Sequence, residues 1–153
     1  MIQLEEEADG TLNYGAASKA NLNRSTFENR VRDALMKING IADVYFRHEL
    51  EDTSTTTRPY LELFRNSYSS SRGGDFEIRF CEYCLASDVA TGTSHGSPYA
   101  YDTHVPIVFW GTGVHTGKSP ATAHTVDIAP TLATALAVKY PASIDGKPLR
   151  IKP

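Results

Sequence analysis

Apolar positions along this chain of 153 residues recur at two periods, and the switches between them mark the predicted elements. Ser25-Thr26-Phe27-Glu28 reads as a capping box, in which the serine oxygen takes the amide at N3 and the glutamate reaches back. Phe27, Val31, Ala34, Leu35 and Ile38 follow at helical spacing and predict one buried stripe. Gly40 is placed to end that helix as a left-handed residue. Residues 41–46 alternate loosely and are β-branched and aromatic, which predicts a strand. A polar cluster at 52–57 precedes a short helix expected about residues 60–66, with Leu61, Phe64 and Tyr68 facing inward.

The second half repeats the alternation of periods. Residues 67–74 form a turn-rich loop. Phe76, Ile78 and Phe80 then alternate with Glu77 and Arg79, predicting a strand whose charged face meets water. Residues 104–110 read as a mostly buried strand, with Pro106 near its start, where a missing amide is tolerated. Asp127 is expected to cap a last helix that carries Pro130 in its first turn. Ile128, Leu132, Ala135 and Leu136 are its expected core face, and Pro141 its stop. Residues 1–22 show no clear period and read as an irregular arm, followed by one domain at 23–153. The order helix, strand, helix, strand, strand, helix predicts an α/β layered domain, without an internal repeat.

Composition narrows this reading only a little. An apolar content of 41% supports a real core, and such a domain buries roughly 70% of its unfolded surface. Fifteen basic against eighteen acidic residues give no nucleic-acid or polyanion signature. The longest like-charge run, Glu5-Glu6-Glu7, reads as a solvated end. No apolar run reaches the roughly 18 residues that suggest a membrane span, and the first residues show no signal-peptide pattern. Cys81 and Cys84 form C-E-Y-C. The pair reads as coincidence or a local disulfide, with a redox or metal role as the weaker alternative.

Candidate chemistry is densest at residues 92–113, GTSHGSPYAYDTHVPIVFWGTG. A ligand-rich loop placed before an apolar strand is how α/β enzymes commonly present catalytic groups. From the loop to the last helix the chain reads Ser94-His95-Gly96-Ser97-Pro98-Tyr99-Ala100-Tyr101-Asp102-Thr103-His104-Val105-Pro106, Phe109-Trp110-Gly111 and Asp127-Ile128-Ala129-Pro130-Thr131. Upstream stand Arg65-Asn66-Ser67-Tyr68 and Ser71-Arg72-Gly73-Gly74-Asp75. In this order the motifs resemble the C-terminal part of the alkaline phosphatase superfamily, in the branch of type I phosphodiesterase/nucleotide pyrophosphatase-like proteins and threonine-nucleophile phosphatases. The resemblance covers roughly residues 23–150. Gly73, where serine is usual, and Ser94, where threonine is usual, depart from it.

The resemblance implies an α/β C-terminal portion with a mixed sheet and flanking helices. It implies that His95 ligates one of two zinc ions that clamp a transferring phosphoryl group, as two metals about 4 Å apart do. Asp102 and His104 are candidates to orient a metal-bound imidazole; the alternative, that Asp102 caps the turn and His104 enters the strand, is favoured for both. His48, His115 and His124 have no partner motif and read as surface residues. The family's nucleophile and remaining metal ligands lie N-terminal to the matched region, and no Asp-His dipeptide occurs in the chain. One histidine does not hold two zinc ions. The expectation is therefore a fragment whose partner is the missing N-terminal catalytic portion, inactive alone, drawn from an extracytoplasmic zinc-dependent phosphatase or phosphodiesterase acting on a phosphate ester. One rival reading is a non-enzymatic binding or stabilising module. A remote one is a serine hydrolase using Ser94, since Gly92-Thr93-Ser94-His95-Gly96 fits G-x-S-x-G, which requires a strand before it and a helix after it.

Overall fold

The computed structural model describes residues 10–54, 58–85 and 92–151. The acidic run at the start and residues 86–90, the strand required before Ser94, lie outside the described residues. The chain falls into two compact units, one reaching His104 and the other beginning at Val105.

The first unit is an α/β layer. Its sheet, among the described residues, is the antiparallel pair β1 (Ile41–Phe46) and β2 (Phe76–Phe80), with Val44 opposite Ile78 and Phe46 opposite Phe76. Side chains alternate across a strand, and here both faces are covered. Val44, Phe46 and Phe76 pack on Leu12 and on Val31 and Leu35 of α2 (Arg24–Leu35). On the other face Tyr45 packs with Leu50 of α3 (Arg47–Glu51) and Leu61 of α4 (Leu61–Ser67), joined by Phe64 and Tyr68. Each large side chain buried this way contributes about 1.5–3 kcal/mol, which makes β1 the centre of the unit.

Local details differ from the expected ones. Helix α2 begins earlier, with Asn23 as its cap: the Asn23 side chain accepts from the Thr26 amide at 2.8 Å. Glu28 is not part of a capping box. It is buried on the helix's inner face and accepts from Tyr14 Oη and Arg24 Nε, each at 2.8 Å. Ala34, within the helix, and Ile38, beyond its end at Leu35, are both exposed. The irregular arm contains a helix, α1 (Tyr14–Lys19), capped by Asn13. Arg79 does not face water. A bulge between Ile41 and Asp43 turns this end of the sheet so that Arg79 reaches Tyr45 Oη at 3.0 Å and the Ala42 carbonyl at 3.4 Å.

Gly73, one of the departures from the family pattern, has a packing reason. A Cβ there would come within 2.3 Å of a carbon of the Tyr68 ring, whose Oη donates to the Gly74 carbonyl at 2.9 Å. Gly73→Ser is expected to lower stability by about 1–3 kcal/mol, the usual range for overpacking, read as a fall in the urea midpoint.

In the second unit, a turn of 3-10 helix (Thr125–Asp127) leads into α6 (Ile128–Ala135). Asp127 caps the turn, not α6: its carboxylate accepts from the His124 and Lys147 amides, both at 2.8 Å. The Thr131 hydroxyl accepts from the Leu149 amide at 2.7 Å, which ties the last segment down. The face of α6 that is buried is Pro130 and Thr131, whereas Leu132 and Leu136 are exposed. Residues 105–110 carry no regular secondary structure and join no ladder among the described residues, and Val108 and Trp110 are 81% and 96% exposed. The expected buried strand is thus not formed: without a neighbouring strand to bond, the segment has no sheet to join.

The Lys147 and His124 amides hold the Asp127 carboxyl below the usual carboxylate range. A depressed folded value means stability that is present above the unfolded value of about 3.9 and lost as pH falls through the folded one. Thermal melts should therefore drop below about pH 4. Asp127→Ala should lower the pH 7 melting temperature by several degrees and flatten that acid dependence.

Candidate metal-ligand loop

The loop that carries His95 is built outward from the end of β2. The Cys81 amide donates to the Gly40 carbonyl at 2.8 Å, extending the ladder by one bond. Cys81 and Cys84 are joined by a disulfide, which resolves the C-E-Y-C motif as a closed turn. From Gly92 the described chain runs without regular structure through His95, turns at Gly96 (φ +85°) and enters the short helix α5 (Ala100–Thr103).

Two side chains hold this turn. Asp102 reaches back so that its carboxylate accepts from the Ser97 amide at 2.6 Å, and this bond, with lesser help from the nearby His95, keeps its carboxyl below the usual range. Asp102 thus closes the turn between residues 97 and 102. Tyr99 is buried; its Oη donates to the Phe80 carbonyl at 2.6 Å and accepts from Arg79 Nη1 at 3.0 Å. The Tyr99 ring meets Tyr60 edge-on at 5.2 Å, and the Arg79 guanidinium lies over Tyr60 at 5.1 Å. Burial works against the charge on Arg79, but the bonds to Tyr45 and Tyr99 outweigh it and raise its pKa further. A charged guanidinium fork thus ties the loop to the sheet.

His95 itself is exposed and lines a cleft shared with Glu77, Cys84, Tyr101 and Asp102. His104 follows α5, its amide donating to the Ala100 carbonyl at 3.3 Å, with an exposed side chain. Glu77, expected to face water, is half-buried, and burial raises its carboxyl pKa. It is a carboxyl in the cleft that sequence alternation placed on the wrong side. His48 is exposed, as expected, with its Nδ1 3.3 Å from Glu28 Oε2 and its ring parallel to Phe46.

A zinc ion fits His95 as one ligand only. Among the described residues no three His, Cys, Asp or Glu side chains converge as a metal site, so these residues do not hold a metal by themselves. Ser94 fits the serine-hydrolase reading poorly. Its hydroxyl donates to the His95 carbonyl at 3.5 Å, and the next helix, of four residues, begins only at Ala100.

No family model matches the chain. It is 34% identical over 117 residues to the calcium-transporting ATPase of Myroides odoratus, across 76% of this chain and 21% of that protein. It is 33% identical over 96 residues to alkaline phosphatase PafA of Elizabethkingia meningoseptica, across 63% of this chain and 18% of that one. The crystal structure of wild-type PafA superposes with a TM-score of 0.70 at 28% identity, covering 91% of this chain and 26% of that chain. The chain thus spans about a fifth of the length of the curated relatives it matches. By sequence and by fold it belongs to the alkaline phosphatase superfamily, of which it carries one portion.

Proposed function

We propose that this chain is the C-terminal portion of a zinc-dependent, extracytoplasmic phosphoric ester hydrolase and that it supplies one metal ligand, His95. The observation that carries this reading is the presentation of His95. It stands exposed at the lip of a cleft, on a loop that Asp102 and Tyr99 fix, in a fold shared with an alkaline phosphatase. A bound zinc would supply Lewis acidity toward a phosphoryl oxygen. This chain's own part is to hold the imidazole in place: Asp102 closes the turn behind it, and Arg79 anchors the turn through Tyr99.

The missing partner is the N-terminal catalytic portion of the same protein. Its docking surface includes residues 105–110, whose side chains are apolar and whose Val108 and Trp110 stand in water. An apolar segment whose backbone joins no ladder is open to pairing with a neighbouring strand. Trp110 is the only tryptophan of the chain, so its emission reports directly on covering of that edge.

The test is a graft: PafA in which this chain replaces the matched portion, assayed on a chromogenic phosphate monoester and a diester. Zinc-dependent hydrolysis, absent from PafA lacking that portion, is the expected result, together with a blue shift of the Trp110 emission relative to the free chain. Hydrolysis by the free chain, zinc-dependent and lost in His95→Ala, would show instead that it builds a complete site.

A further inference from the structure

We propose that Cys81 and Cys84 form a thiol–disulfide exchange site whose redox state holds or releases the loop carrying His95. The bridge closes the turn that leaves β2. Cys84 is exposed and Cys81 half-buried, so an incoming thiolate meets the Cys84 sulfur first. Attack there makes a mixed disulfide on Cys84 and expels the Cys81 sulfur as a thiolate, which takes a proton from water. The second thiol of a dithiol reductant then attacks the external sulfur and releases Cys84. Two electrons pass to the protein's disulfide, and the dithiol leaves as a cyclic disulfide.

The consequence for the loop runs through Tyr83, between the two cysteines. Its φ is +59°, a left-handed conformation that a side chain of this size rarely adopts. In that conformation the Tyr83 amide donates to Tyr101 Oη at 3.1 Å, and the two rings stack at 4.6 Å with 17° between their planes. Tyr101 belongs to α5 and stands beside Asp102, the residue that closes the His95 turn. Opening the bridge frees Tyr83 to return to negative φ. Its amide and its ring then leave Tyr101 together, and α5 loses its outer support. The inference extends the role given to His95 above, but nothing in it requires a metal.

Hydrogen exchange of the chain, oxidised and after reduction with dithiothreitol, tests it without any metal present. Reduction should speed exchange in peptides spanning 94–104 about tenfold, as local opening does, while α2 and β1 keep their protection. The near-UV tyrosine signal should fall in parallel. Cys81→Ser with Cys84→Ser should match the reduced chain under oxidising conditions. Tyr83→Gly, which keeps the bridge and removes the stack, should exchange fast in that loop whatever the redox state. Equal exchange in the two redox states overturns the proposal. So does acceleration that spreads equally through α2 and β1, since the bridge would then be an ordinary staple of the whole unit.

Discussion

Replacing Arg79 by methionine should lower the stability of the first unit by about 3 kcal/mol, the lower end for breaking a buried charged network. The guanidinium serves Tyr45, Tyr99 and the Ala42 carbonyl at once and lies over Tyr60. Asp43, whose carboxylate lies 3.8 Å from Arg79, keeps Arg58 as a cation, and the two phenols keep their carbonyl acceptors on Pro59 and Phe80. Those remaining bonds keep the loss from being larger. The variant should also loosen the 92–104 turn, because Tyr99 loses its tie to the sheet. Arg79→Lys should recover little, as an ammonium does not reproduce the planar fork. Urea unfolding measures the first effect and hydrogen exchange the second; an unchanged midpoint would remove Arg79 from the account of the loop.

His95→Ala carries the other large effect. In the PafA graft it should raise the zinc concentration needed for half-maximal activity by roughly 100-fold or more. Even residues that merely orient a metal ligand cost about 10–100-fold in affinity or activity when lost, so the ligand itself should stand at or above that range. The imidazole is exposed and makes no packing contribution on which the fold depends. Its loss should therefore leave the unfolding midpoint of the free chain unchanged. A graft whose zinc requirement is indifferent to His95 would leave this histidine a loop residue.

Much of this was legible in the residues, and what was not has identifiable causes. Period-two alternation located both strands, and the helical spacing of Leu61, Phe64 and Tyr68 located α4, because each of these elements buries a face against β1. The start of α2 was misplaced because Asn23 and Ser25 are both competent caps and only packing chooses between them. The Ser-x-x-Glu spacing reads as a capping box, whereas Glu28 is buried and bonds Tyr14 and Arg24 instead. Alternation alone sent Arg79 to water because it assumes one covered face. Here Tyr45 and Tyr99 cover the other, and the bulge at Ala42 re-aims that end. Residues 105–110 and the apolar side of α6 were read as buried because apolar side chains are normally inside. Their exposure is intelligible for a portion of a larger fold, and composition carries no sign of where a fold is divided. His95 was found by motif order alone. Nothing in periodicity distinguishes it from His104 or His115.

The central claim is that His95 is a metal ligand in a completed phosphatase, and anomalous X-ray scattering at the zinc edge from crystals of the graft tests it most directly. The account predicts a zinc peak about 2.0–2.1 Å from an imidazole nitrogen of His95, the distance of a direct bond. A zinc peak in the cleft with His95 turned away from it, or no peak near the 92–104 turn in an active graft, would contradict it.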